Sequence, residues 1–166
     1  MEVGYYAGNR ERLYKKLCPG ELLAIFSGED VWKTGDECYP FFTERNFVYL
    51  TGLRCKSAVL LAIKDADSSV QERLYILPPD AHAERWTGTR VKPHEAEAIS
   101  GVKDIRFTTA FDSDFKALAY SGNYGRIYLD LYRFTPSDAD RASHKFLHVV
   151  QREYPYLQIG NADALL

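Results

Sequence analysis

Cysteine is scarce in this sequence, with only Cys18, Cys38 and Cys55. The number is odd and no Cys-x-x-Cys occurs, so neither a disulfide framework nor a thiolate metal site is spelled out. The three read as reduced, structural thiols of a cytoplasmic protein. Long apolar runs are also missing, and with them any sign of a signal peptide or a membrane span. Charge of one sign is not in excess. A formal net charge of -2 gives no field that would attract nucleic acid or an anionic membrane. The glycine-rich phosphate cradles Gly-x-Gly-x-x-Gly and Gly-x-x-x-x-Gly-Lys are absent. Ser57, Ser68 and Ser100 lack the context of a nucleophile elbow. His144 and His148 have a metal-ligand spacing, but Lys145 stands where a metalloprotease has its glutamate, and no third ligand is evident. They read as a solvated pair. Asp36 with Glu37, and Asp138 with Asp140, are explained by loop solvation and helix capping rather than by paired acid/base chemistry. The sequence thus offers no catalytic constellation of its own.

What it does offer is one compact domain's worth of chain, 166 residues, rich in tyrosine and phenylalanine. The densest stretch is Tyr39 to Gly52, where five of fourteen residues are aromatic. Phe47, Leu50 and Leu53 recur at three-residue steps, which predicts helical turns pressed on a core. Glu44, Arg45 and Asn46 interrupt the apolar pattern. Buried charge needs a partner, so these three are expected at an edge facing a neighbour or a cleft. A second aromatic of interest is Trp86, flanked by Arg85 and Arg90 and followed by Gly88. It suits a core edge, an interface anchor or a ligand-facing position; aromatics beside arginines are typical of binding hot spots.

In order, Asn9 is expected to cap a helix over 10–17 that ends at Pro19-Gly20. Leu22 to Phe26 and Ala58 to Ile63 read as buried strands, and 73–77 as a third strand in hairpin with the second. Residues 28–38 read as loop. Asp80 is expected to cap a short helix to Trp86, and Pro93 to open another that Gly101 closes. A short strand around Ile105 and Phe107, a helix over 111–119 and a strand over 127–131 follow. Ser137 is expected to cap the longest helix, with Asp138 and Asp140 at its positive end. A strand stub over 157–159 precedes Asn161, the expected cap of a last helix. Alternating strands and helices with one hairpin predict an α/β fold, a mixed central sheet flanked by helices.

The ordered motifs resemble the N-terminal domain of the Xaa-Pro aminopeptidases, in the creatinase and prolidase family. They are Leu-Cys-Pro-Gly-Glu at 17–21, Tyr-Pro-Phe at 39–41, Arg-Asn-Phe-Val-Tyr-Leu-Thr-Gly at 45–52, Glu-x-Trp-x-Gly-x-Arg at 84–90, and the tail from Ile159 to Leu166. The resemblance implies a ribonuclease H-like arrangement over residues 1–160, with 161–166 starting a linker helix to a C-terminal catalytic domain. It implies no cofactor in this chain, and two divalent metals, usually manganese, in that other domain. The implied partners are the chain's own catalytic domain, further copies in a dimer or tetramer, and proline-containing peptides; nucleic acid and membrane are not among them. Trp86, Arg85, Arg90, Tyr39, Arg45 and Asn46 become candidates for a substrate entrance or interface. A prolidase-type dipeptidase domain and a standalone interaction module are the alternatives. Many members have Arg-Gln where this chain has Phe42-Thr43, and others have Ser-Asp where it has Arg45-Asn46.

Overall fold

The computed structural model describes residues 3–35 and 37–166. Asp36, and any pairing of it with Glu37, lies outside the described residues. A six-stranded mixed sheet forms the centre. Its strands are β1 (Glu21–Phe26), β4 (Val59–Lys64), β5 (Val70–Ile76), β6 (Asp104–Phe107), β7 (Arg126–Leu129) and β8 (Gln158–Asn161), in spatial order β6-β5-β4-β1-β7-β8. The expected hairpin is present: β4 runs antiparallel to β5, with Leu60 opposite Leu74. It also runs antiparallel to β1, while every other neighbouring pair is parallel. The other five strands therefore share one direction.

β1 and β4 read as unbroken apolar runs because both faces of the sheet are covered. Leu23 and Ile25 of β1 and Leu60 and Ala62 of β4 face one layer of helices, α1 (Val3–Tyr14), α2 (Arg45–Thr51) and α4 (Pro93–Ser100). Leu22, Ala24, Leu61 and Ile63 face the other, α5 (Phe111–Tyr120) and α6 (Ala142–Glu153). In this second layer Phe115 lies against the rings of Phe111, Phe146 and Tyr154 at 4.9–6.1 Å. The first layer is tied by Arg10. Its guanidinium donates to the carbonyls of Leu50 and Ser100 near the ends of α2 and α4, and forks onto both carboxylate oxygens of Glu72 on β5.

Four expectations need correction. Asn9 does not cap the first helix, which begins six residues earlier; it is buried inside α1, and its Nδ2 donates to the Tyr49 carbonyl. Residues 28–38 are not all loop, since β2 (Trp32–Thr34) and β3 (Glu37–Cys38) pair antiparallel. Ser137 does not cap α6, which starts at Ala142 after Arg141. Asp138 instead accepts from the amides of Phe134 and Thr135, and Asp140 is engaged by Arg133 and His148, so both carboxylates shape the preceding loop. His144 and His148 are not a solvated pair. His144 is 3% exposed and its Nδ1 accepts from the Arg141 amide, whereas His148 is exposed and meets Asp140 at 2.9 Å.

Candidate functional site at the carboxyl edge of the sheet

Five strands end at the same edge, and the loops that follow them carry the candidate residues. After β1 the chain turns toward β4; after β7 it turns toward β8, on the other side. Adjacent strands whose connections diverge leave a crevice between their carboxyl ends, the usual place for a ligand in an open α/β sheet. Here that crevice is a cavity of about 360 Å³ lined by Glu44, Arg45, Asn46, Asp130, Tyr132, Arg141 and Asp163.

Local structure sets each group. Gly28 and the segment after it carry the chain away from β1 to α2, whose first residues, Arg45 and Asn46, stand at the crevice. Asp130 follows directly on β7 and is buried at its carboxyl end. Its Oδ2 accepts from Asn46 Nδ2 at 2.9 Å, and its Oδ1 from the Tyr132 amide at 3.4 Å. Arg141, just before α6, donates to Glu44 at 3.0 Å and lies 5.8 Å from the centre of the Tyr132 ring. Arg45 is exposed and has no hydrogen bond or ion pair among the described residues. A buried, bonded carboxylate beside a free guanidinium suits the recognition of a polar chain rather than its chemical attack. No histidine, cysteine or serine lines the crevice.

The remaining candidates lie further along the same edge. Tyr39 lines a neighbouring cavity of about 280 Å³, which shares Glu44 and Arg141 with the crevice. Arg90 lines a third cavity, which shares Asp30 and Phe41 with that of Tyr39 and no residue with the crevice. Trp86 belongs to α3 (Ala81–Thr87), which follows β5 and has no buried residue. Its ring is 81% exposed, and Arg85 is exposed beside it. α3 is held at its start by Asp80, whose Oδ1 accepts from the amides of His82 and Ala83. Those donors hold the Asp80 carboxyl below the usual carboxylate range. The structure thus gathers Arg45 and Asn46 in one crevice, with Tyr39 beside it, and keeps Trp86 and Arg85 apart on α3. Asp130, Tyr132, Arg141 and Asp163 were not foreseen. Only Asp130 left a trace in the sequence, as the acid within the alternation read as a strand over 127–131; β7 ends at Leu129, one residue before it.

Residues 6–128 match the family model for the aminopeptidase P N-terminal domain. The chain belongs to that family. Among curated relatives, Xaa-Pro aminopeptidase 2 of Streptomyces coelicolor is 31% identical over 121 residues, covering 66% of this chain and 26% of that protein. The Escherichia coli Xaa-Pro aminopeptidase is 32% identical over 93 residues, covering 56% and 21%. A solved structure from Bacillus anthracis assigned as an aminopeptidase P superposes with a TM-score of 0.91 at 31% identity, over 97% of this chain and 38% of that one. Aminopeptidase P from E. coli shares the fold at a TM-score of 0.75 and 22% identity. The chain spans about a quarter of the length of the Streptomyces relative. It corresponds to the non-catalytic N-terminal domain of the family.

Proposed function

We propose that this chain serves as the N-terminal domain of a dinuclear-metal Xaa-Pro aminopeptidase, an enzyme that removes the residue preceding proline. The observation that carries the reading is the Bacillus likeness, which takes in nearly all of this chain and little more than a third of the other. The described residues bring no three His, Cys, Asp or Glu side chains together where they could hold a metal ion. The two metals, manganese in the usual case, belong on this reading to a catalytic domain that residues 161–166 lead toward.

The work of this domain would be shape. The crevice with Arg45 and Asn46, and Tyr39 beside it, gives one wall of a substrate entrance. Trp86, standing off the body on α3 between Arg85 and Arg90, narrows the entrance of a neighbouring copy in a dimer or tetramer and excludes water from it. The test is Trp86→Ala in the full-length enzyme. Loss of a transition-state contact of about 1–3 kcal/mol lowers kcat/KM on an Xaa-Pro-Xaa peptide roughly 5- to 150-fold. Mixing this variant with catalytically dead subunits that keep Trp86 should restore turnover if the ring acts across the interface. Unchanged kcat/KM overturns the role of Trp86. Turnover confined to Xaa-Pro dipeptides would replace the aminopeptidase with a prolidase-type parent.

A further inference from the structure

The largest of the three cavities described above shares only Arg90 with that reading. It holds about 470 Å³, within the range of small-molecule sites, and shares no lining residue with the crevice at β1 and β7. Its position follows from the strand order. β4 runs against its two neighbours, so the loops after β1 and β5 rise two strands apart and leave a gap over the amino end of β4. Three segments close the gap: Asp30, Cys38 and Phe41 after β1; Arg54, Cys55 and Lys56 before β4; and Ile76, Leu77 and residues 87–91, before and after the body of α3.

The floor is apolar. Ile76 is fully buried there, with Phe41, Leu77 and Val91 partly buried around it and the half-buried thiols of Cys38 and Cys55 alongside. The rim is basic, with Arg54, Lys56 and Arg90 against the single carboxylate of Asp30. Two of the three cations are engaged. Lys56 pairs with Asp30, and Arg90 donates to the Pro78 carbonyl and lies 3.7 Å from Asp80. Arg54 is exposed and has no hydrogen bond or ion pair among the described residues. Gly88 holds a φ of +86° in the wall, and no atom stands within 4 Å of where its side chain would begin, so the wall is open at that point.

We propose that this cavity binds a carboxylate carried on an apolar body. Arg54 supplies the planar fork that takes both carboxylate oxygens, and Phe41, Ile76 and Val91 receive the body. The excess of positive charge on the rim rejects cationic ligands. One free guanidinium suits a monoanion, and the apolar floor gives a small inorganic anion nothing to gain. The same chemistry is presented by the C-terminus of a peptide ending in an apolar residue and by a free aliphatic acid.

The test uses the whole chain labelled with nitrogen-15 and three probes: N-acetyl-Ala-Phe, its C-terminal amide, and octanoate. Binding is expected to shift the amide resonances of residues 38, 54–56, 76 and 87–91, and to slow iodoacetamide modification of Cys38. The neutral amide should bind about tenfold more weakly than the acid, and Arg54→Ala should lose about the same factor for either acid. Arg54 is exposed, so urea unfolding of Arg54→Ala should match the parent. Saturation by the acetyl dipeptide alone assigns a peptide terminus; saturation by octanoate alone assigns a free acid; saturation by both leaves the carboxylate as the recognised group. Three results overturn the proposal: no shift at these residues up to about 5 mM of either acid, equal binding of acid and amide, or unaltered binding to Arg54→Ala. None of them bears on the peptidase reading, which is tested at Trp86.

Discussion

Asn46 on α2 and Asp130 after β7, 84 residues apart in sequence, meet in a 2.9 Å hydrogen bond at the floor of the crevice. The bond supplies the better of the two donors that face a buried carboxylate; the other, the Tyr132 amide, is at 3.4 Å. Asn46→Ala leaves Asp130 under-satisfied and is expected to cost about 1–3 kcal/mol. Urea unfolding at neutral pH measures it. A loss below 0.5 kcal/mol, the range of ordinary surface substitutions, would mean that water replaces the amide without penalty.

Phe115 is the hub of the second core layer, ringed by Phe111, Phe146 and Tyr154. Phe115→Ala is expected to lower stability by about 3–5 kcal/mol, through lost burial and a cavity that three rigid rings cannot fill. Denaturant midpoints of the variant and the parent give the value.

Trp86 should behave in the opposite way. α3 has no buried residue, so Trp86→Ala in this chain is expected to change unfolding free energy by no more than about 0.5 kcal/mol. A loss of several kcal/mol would show that the ring packs on the body in solution and would remove it from any entrance.

How much of this was legible in the sequence depended on whether a residue's role was local. The strands β1 and β4 announced themselves as apolar runs because both their faces are covered, and Asp80 as a cap because its two donors lie two and three residues away. Asn9 and Arg10 misled, since a polar residue next to an apolar segment looks like a helix start; their partners are on Tyr49, Leu50, Glu72 and Ser100, at separations no local pattern shows. The β2 and β3 hairpin has neither apolar alternation nor burial on β2 to reveal it. Arg45 and Asn46 stood out as polar interruptions, but the crevice needs Asp130, Arg141 and Asp163, which only the strand order brings to them.

Gly52 ends α2 at a φ of +74°, and the position of its missing side chain lies 2.4 Å from the ring of Tyr6 on α1. Gly52→Ala therefore meets a strained backbone and a steric clash together. It is expected to cost more than 1 kcal/mol. Adding Tyr6→Ala should recover the clash and leave the backbone strain, so a double-mutant cycle by urea unfolding should show coupling between the two sites.

Stability should fall in alkali. Burial pushes the Cys55 thiol up to about 11. The Tyr75 and Tyr124 hydroxyls are pushed up to about 12 by burial and by hydrogen bonds to Asp114 and Asp65. Each group keeps its proton in the folded protein at a pH where the unfolded chain has released it. The unfolded state then binds fewer protons, and stability declines as pH rises. Urea midpoints should hold up to about pH 9, where an unfolded thiol ionises, and decline toward pH 12. Cys55→Ala should flatten the part of the decline between about 9 and 11.

β1 is completed by residues far along the chain. Its antiparallel partner places Ile63 opposite Leu22, but the parallel neighbour on its other side places Ile127 there, 105 positions later. At a synthesis rate of about 5–20 residues per second, roughly 5–20 s separate the emergence of the two strands from a ribosome. Through that interval a fully apolar stretch of the sheet has one edge unpaired, and Leu22 and Ala24 wait for α5, which emerges just ahead of β7, and for α6, which emerges after it. An uncovered apolar strand edge is a template for wrong pairing. The central strand that makes the finished domain rigid is thus its chief liability while the chain is being made.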